Sequence, residues 1–186
     1  MSIFEFLSVL VAIVLALALG KLISATIDVF NKERRDFLHY GFCLAAFVGV
    51  PVIWWSQWAM VSKESWHFGE FLLMLGVPVF SYLAAHVLVS NDSSRVSSWR
   101  SHFVMVHRWF FAALGAQVIL ATLRRIYVDG NPGIVFTVGG MSPVVTLSIL
   151  AIGLFSTKRT VHIGVLMYWS ALILFSVSLQ PEILQV

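Results

Sequence analysis

The stretch that decides the fold is the first one, residues 3–30, IFEFLSVLVAIVLALALGKLISATIDVF. From Phe6 to Gly20 it contains no charged side chain, and its only charges are Glu5, Lys21 and Asp28. A helix of about 20 apolar residues is what a bilayer's hydrocarbon core requires. Ala16-Leu17-Ala18 has the look of a signal-peptide cleavage site. However, no basic segment precedes it and Glu5 places a negative charge where such a segment is positive, so the stretch reads as a retained helix.

The rest of the chain repeats the pattern. Of its 186 residues, 59% are hydrophobic and 11% charged, and the mean hydropathy is +0.90. A soluble domain carries about 25% charged residues. One this apolar would expose large sticky patches unless lipid were its solvent. Apolar segments are expected at about 3–30, 37–60, 69–90, 103–123, 133–156 and 161–179. The connections are short, so neighbouring helices are antiparallel, and no length is left for a soluble domain. The expected fold is all-α, one six-helix transmembrane bundle with kinked helices.

Charge sets the orientation. Lys32, Arg34, Arg35, Arg95, Arg100, Arg108, Lys158 and Arg159 fall on one side, and Lys63, Arg124 and Arg125 on the other. The positive-inside rule then puts both termini outside, with Arg124 and Arg125 reaching to the outer interface from a helix end. Trp54, Trp55, Trp58 and Trp66 bracket the outer interface and Trp99 and Trp109 the inner one, as amphipathic rings do. The net charge of +3 and pI near 9.3 come from these flanking bases. They form no stripe with exposed aromatics, which excludes nucleic acid as a partner. Cys43 is the single cysteine and reads as a small packing residue.

Several features could carry chemistry. Ala12, Ala16, Gly20, Ser24 and Asp28 recur every fourth residue, a seam for close helix packing inside the bundle or between protomers. Lys21, Ser24 and Asp28 share one helix face, where Lys21 either snorkels to the headgroups or belongs to an internal polar site. In the expected topology His39, His86, His102, His107 and His162 all fall in the cytoplasmic leaflet, with Tyr82 one turn from His86, and only His67 lies outside. Converging imidazoles could relay protons or bind a metal or haem iron. No two of them have the local spacing of a metal motif. Pro51, Pro78 and Pro143 interrupt spans near mid-membrane, the first two within identical Gly-Val-Pro-Val tetrapeptides. Proline removes a backbone donor and breaks or kinks the helix, as in transporter sites. The fifth segment is the most polar, with Thr137, Gly139, Gly140, Ser142, Thr146 and Ser148. Phosphate-binding, dinucleotide, nucleophile-elbow and zinc-protease motifs are missing from the sequence, which disfavours an enzyme.

The run Phe6-Leu7-Ser8-Val9-Leu10-Val11-Ala12-Ile13-Val14-Leu15, leading to Gly20-Lys21-Leu22, resembles the opening of a group of small bacterial polytopic inner-membrane proteins with no assigned activity. Trp54-Trp55 and the run His102-Phe103-Val104-Met105-Val106-His107-Arg108-Trp109-Phe110-Phe111 extend the likeness over nearly the whole chain. It implies a bacterial inner membrane and brings no functional residue with it.

The leading expectation is therefore a small channel or transporter, oligomeric or joined to a partner subunit in the bilayer. Its polar path in the cytoplasmic half would be lined by Lys21, Asp28, His39, His86 and His107, with helix breaks at Pro51, Pro78 and Pro143. For this reading no cofactor is expected, though the sequence itself leaves the cofactor open. The alternative is a membrane redox protein that binds haem or metal through His39, His86 and His107. A second alternative is a non-catalytic subunit or sensor acting through the loop Asn91–His102.

Overall fold

In the computed structural model, residues 3–28, 36–90, 96–128, 130 and 142–178 are described. Every regular element among them is helical: α1 (Ile3–Asp28), α2 (Phe37–Ser56), α3 (Phe68–Leu88), α4 (Trp99–Tyr127), α5 (Pro143–Phe155) and α6 (Arg159–Ser178). A short 3-10 turn, Gln57–Met60, continues α2. Five helices, all but α5, are long and apolar enough to cross a membrane. The chain is a helical membrane bundle.

Helix α5 differs from the expected fifth span. Its 13 residues rise only about 20 Å, against a hydrocarbon core of about 30 Å. Residues 131–141, which include Thr137, Gly139 and Gly140, lie outside the described set. Pro143 also departs from expectation. It occupies the first turn of α5 instead of breaking a helix midway. There its missing N–H would have had no partner in any case, and its fixed φ suits a helix start. Pro51 and Pro78 do lie inside α2 and α3.

Helices α3 and α4 form the most extensive pair. Helix α1 lies against α3 and α2, α5 against α4, and α6 against α2. Helix α1 shows how the sequence encodes this. Phe4, Leu7, Val11, Leu15, Ala18, Leu22 and Ala25 are buried, at the alternating three- and four-residue spacing of a packed helix face. Phe6, Val9, Ile13, Leu17 and Ile23 point away from the bundle, where lipid is their solvent. The small-residue stripe is also outside: Ala16, Gly20 and Ser24 are exposed, and a Cβ added at Gly20 would meet nothing. It is therefore not a seam within this bundle.

Close approaches occur elsewhere. A Cβ on Gly41 would collide with Leu166 of α6, and one on Gly76 would stand 2.8 Å from Leu120 Cδ1 of α4. At the centre, Phe42, Phe103, Phe110 and Phe111 form an aromatic layer. Phe42 stacks on Phe103 at 5.2 Å between centroids and meets Phe110 and Phe111 edge-on at 5.3 and 5.5 Å.

Candidate functional site: a histidine group and an opposing cavity

Two helix starts are clamped together. Asp36 caps α2, one carboxylate oxygen accepting from the His39 backbone N–H at 3.2 Å. Its other oxygen accepts from Arg159 Nη2, at the start of α6, at 2.6 Å. Asp36 is buried and Arg159 partly so. Each stands three residues before a histidine, His39 and His162, so the ion pair sets the height of both rings.

Those histidines and two from α4 come together at this end of the bundle. His39 is fully buried, stacks flat on Trp99 at 4.7 Å and 18°, and meets His102 edge-on at 6.0 Å. His107 and His162 are 5.1 Å apart, and both are buried. Phe103 joins the two pairs, 6.5 Å from His39, 6.3 Å from His107 and 5.3 Å from His162.

Hydrogen bonds fix which ring nitrogen carries the proton, because a carbonyl can only accept. His102 Nε2 donates to Leu88 O at 3.2 Å, His162 Nε2 to Gly153 O at 3.1 Å, and His107 Nδ1 to Val104 O at 2.7 Å. A neutral imidazole has one N–H, so His107 Nε2 presents a lone pair. That atom is buried with no hydrogen-bond partner among the described residues, as is His39 Nδ1. Cys43 Sγ lies 3.6 Å from His39 Nε2.

Of the residues expected in the site, His39 and His107 are in this group. His86 is in the last turn of α3, near Leu88, but its ring packs on Tyr82 at 5.7 Å and its Nδ1 is buried without a partner among the described residues. Lys21 is half-buried on α1, a helix that supplies no ring to the group. Asp28 ends α1, and its side chain is outside the described set. Among the described residues no three His, Cys, Asp or Glu side chains are placed to hold a metal ion.

Trp99 does not join the interfacial belt expected for it. It is 1% exposed and lies over His39, whereas Trp109 is 73% exposed and does face outward. Trp99 opens α4 and Trp109 lies about 15 Å farther along it, on a different face. Asp36 carries a legible signal, an N-cap residue directly before an apolar run, but its pairing with Arg159 spans most of the chain.

The opposite half of the bundle holds a cavity of about 220 Å³ between α2, α4, α5 and α6, with Val77 of α3 at its wall. From α2 and α6 it is lined by Val52, Ile53, Leu172 and Ile173 together with Ser56 and Ser176, and from α4 by Gln117, Val118, Ala121, Thr122, Arg124 and Arg125. Arg124 does not reach out to the interface as expected. It is 4% exposed, and its Nη1 donates to the buried Gln57 Oε1 at 2.9 Å. Pro143 and Thr146 of α5 close one side, and Thr146 shares a 2.8 Å hydrogen bond with Tyr168 of α6. No acidic side chain lines the cavity among the described residues.

A second void of about 30 Å³ lies deeper, bounded by Leu22, Ser81, Phe110 and Leu114. It shares Gly49, Ile53, Gln117 and Trp169 with the first. Phe110 belongs to the phenylalanine layer, whose members Phe103 and Phe111 also pack against His162, and Phe103 against His107. From Arg124 to His107 along α4 is about 25 Å. The fold therefore lays out a cavity, a small void, and then an aromatic layer interleaved with the histidine group. No protein-family model, curated protein or solved structure matches this chain.

Proposed function

We propose that the chain is a small membrane transporter, with its solute cavity in the arginine half and the phenylalanine layer as its closed side. The observation that carries this is the order of the parts along the bundle: a cavity that ends near the middle of α2, α4 and α6, with buried histidines on the far side of Phe110. A solute site near the midplane with one side sealed is what alternating access requires.

The histidine group supports a proton-linked step. Imidazole is the side chain that gains and loses a proton within the physiological range. His107 Nε2 offers a lone pair to receive one, and His162 lies beside it to pass it on. Proton binding there would place charge against Phe103 and Phe111 of the aromatic layer and oblige the helices carrying the histidines, α2, α4 and α6, to rearrange.

The test is flux. Full-length protein in liposomes containing a pH-sensitive dye is challenged with a panel of solute gradients at fixed membrane potential. Proton movement that needs both protein and one solute is expected, lost in His107→Ala and His162→Ala. Traces equal to those of empty liposomes across the panel would overturn the reading. A redox reading of the same group draws on one observation, that His102, His107 and His162 each tie one ring nitrogen to a carbonyl, as metal-binding imidazoles do. An absorption spectrum with elemental analysis on the purified protein decides it.

A further inference from the structure

We infer that the cavity beside Arg124 and Arg125 is a binding site for an anionic amphiphile: a phosphate or carboxylate head on a short apolar chain. Three features of the walls define that ligand. The first is sign. Arg124 and Arg125 both line the cavity and no acidic residue does, among the described residues. Arginine is suited to such heads because its planar fork matches two oxygens at once. The second is preorganisation. Arg124 is held by Gln57, and Thr122 Oγ1 is turned back to Val118 O at 2.7 Å, so this wall is set before any ligand arrives. Arg125 makes no ion pair among the described residues and is half-buried at the wall. The third is the apolar side. Val52, Ile53, Leu172 and Ile173 offer a chain nothing but hydrocarbon, and toward its deep end the cavity meets the Gln117 amide but no charge among the described residues.

Size narrows the class. A cavity of about 220 Å³ admits a head group and a short alkyl chain. A bare inorganic anion would leave the apolar wall unused. A neutral alcohol would leave the arginines unused.

The inference rests on the transporter reading only in taking this cavity as the way in, and binding is read without flux. Octyl phosphate is titrated against full-length protein in nanodiscs of phosphatidylcholine, with octanol and inorganic phosphate as controls. Saturable binding of octyl phosphate is expected, at least tenfold tighter than either control. Arg125→Gln should weaken it at least tenfold. Ile173→Trp, which fills the apolar side and leaves both arginines, should weaken it as much. Equal binding of octanol, or affinity unchanged in both variants, would overturn the inference. A second set of discs containing phosphatidylglycerol separates the sources: competition there assigns the head group to bilayer lipid, and indifference assigns it to a free solute. Saturable binding by a protein that moves nothing across liposomes keeps the site and sinks the transporter. Flux of other solutes without this binding does the reverse.

Discussion

The clamp between α2 and α6 gives the sharpest quantitative test. Asp36→Asn removes the charge opposite Arg159 but keeps a good cap for α2, since Asn and Asp rank together at that position. What is lost is the 2.6 Å contact from Arg159 Nη2. Hydrogen bonds to charged groups contribute about 1.5–3 kcal/mol. The Arg159 side chain is 39% exposed, so solvent screening lowers the expectation to about 1–2 kcal/mol. Asp36→Ala also removes the cap and should cost about 1 kcal/mol more. The assay is reversible unfolding in mixed micelles, run as a double-mutant cycle of Asp36→Asn with Arg159→Gln, so that effects on the unfolded chain cancel. The Lys63–Glu70 pair, at 3.1 Å between the α2–α3 loop and the first turn of α3, serves as a control with an expected coupling below about 1 kcal/mol. A coupling for Asp36 and Arg159 below about 0.5 kcal/mol, or no larger than the control, would refute the claim that this pair holds the two histidine-bearing helices in register.

Two glycine substitutions should behave oppositely in the same unfolding assay. Gly20→Ala meets open space and should be neutral or stabilise by up to about 1 kcal/mol, whereas Gly153→Ala puts a Cβ 3.1–3.3 Å from the Phe111 ring and should cost about 1–3 kcal/mol. Cys43, 6% exposed, should resist maleimide in the folded protein and react once the protein is unfolded in detergent. The variants Ser97→Cys and Thr157→Cys should label from one side of the membrane and Ser62→Cys from the other, because these exposed residues lie at opposite ends of the helices. Trp99→Leu should reduce the proposed proton flux more than Trp109→Leu, since of the two only Trp99 covers His39.

The helices and the gathering of histidines at one end are legible in the sequence because both follow from the chain reversing direction at short loops. His39, His102, His107 and His162 must share a level once the spans are placed. Which way a side chain faces is much harder to read. In water, polarity marks the outer side of a helix; in lipid both sides are apolar, so Leu17 facing out and Leu15 facing in carry the same signal. For the same reason the sequence points Trp99 to a belt it does not join, and the stripe through Gly20 to a seam it does not make within the bundle. Arg124 misleads differently. An arginine at a helix end can extend to water, and it is Gln57, brought from beyond α2, that turns it inward. The cavity cannot be read from the sequence at all, because its walls come from five helices and its existence depends on how they fail to fill the space between them.

The bonds that fix the histidine tautomers have a mechanical side. The carbonyls taken by His102 and His162 belong to Leu88 and Gly153, in the final turns of α3 and α5, where the backbone has no helical donor left. Each ring therefore works as a latch from one helix to the tail of another. An ion or inhibitor that takes Nε2 of either ring must first unfasten that tail, whereas one that takes Nδ1 leaves the latch closed. Chemistry at Nε2 and the freedom of α3 and α5 to shift are thus one event, and a compound that competes for that atom would be felt at the other ends of those helices.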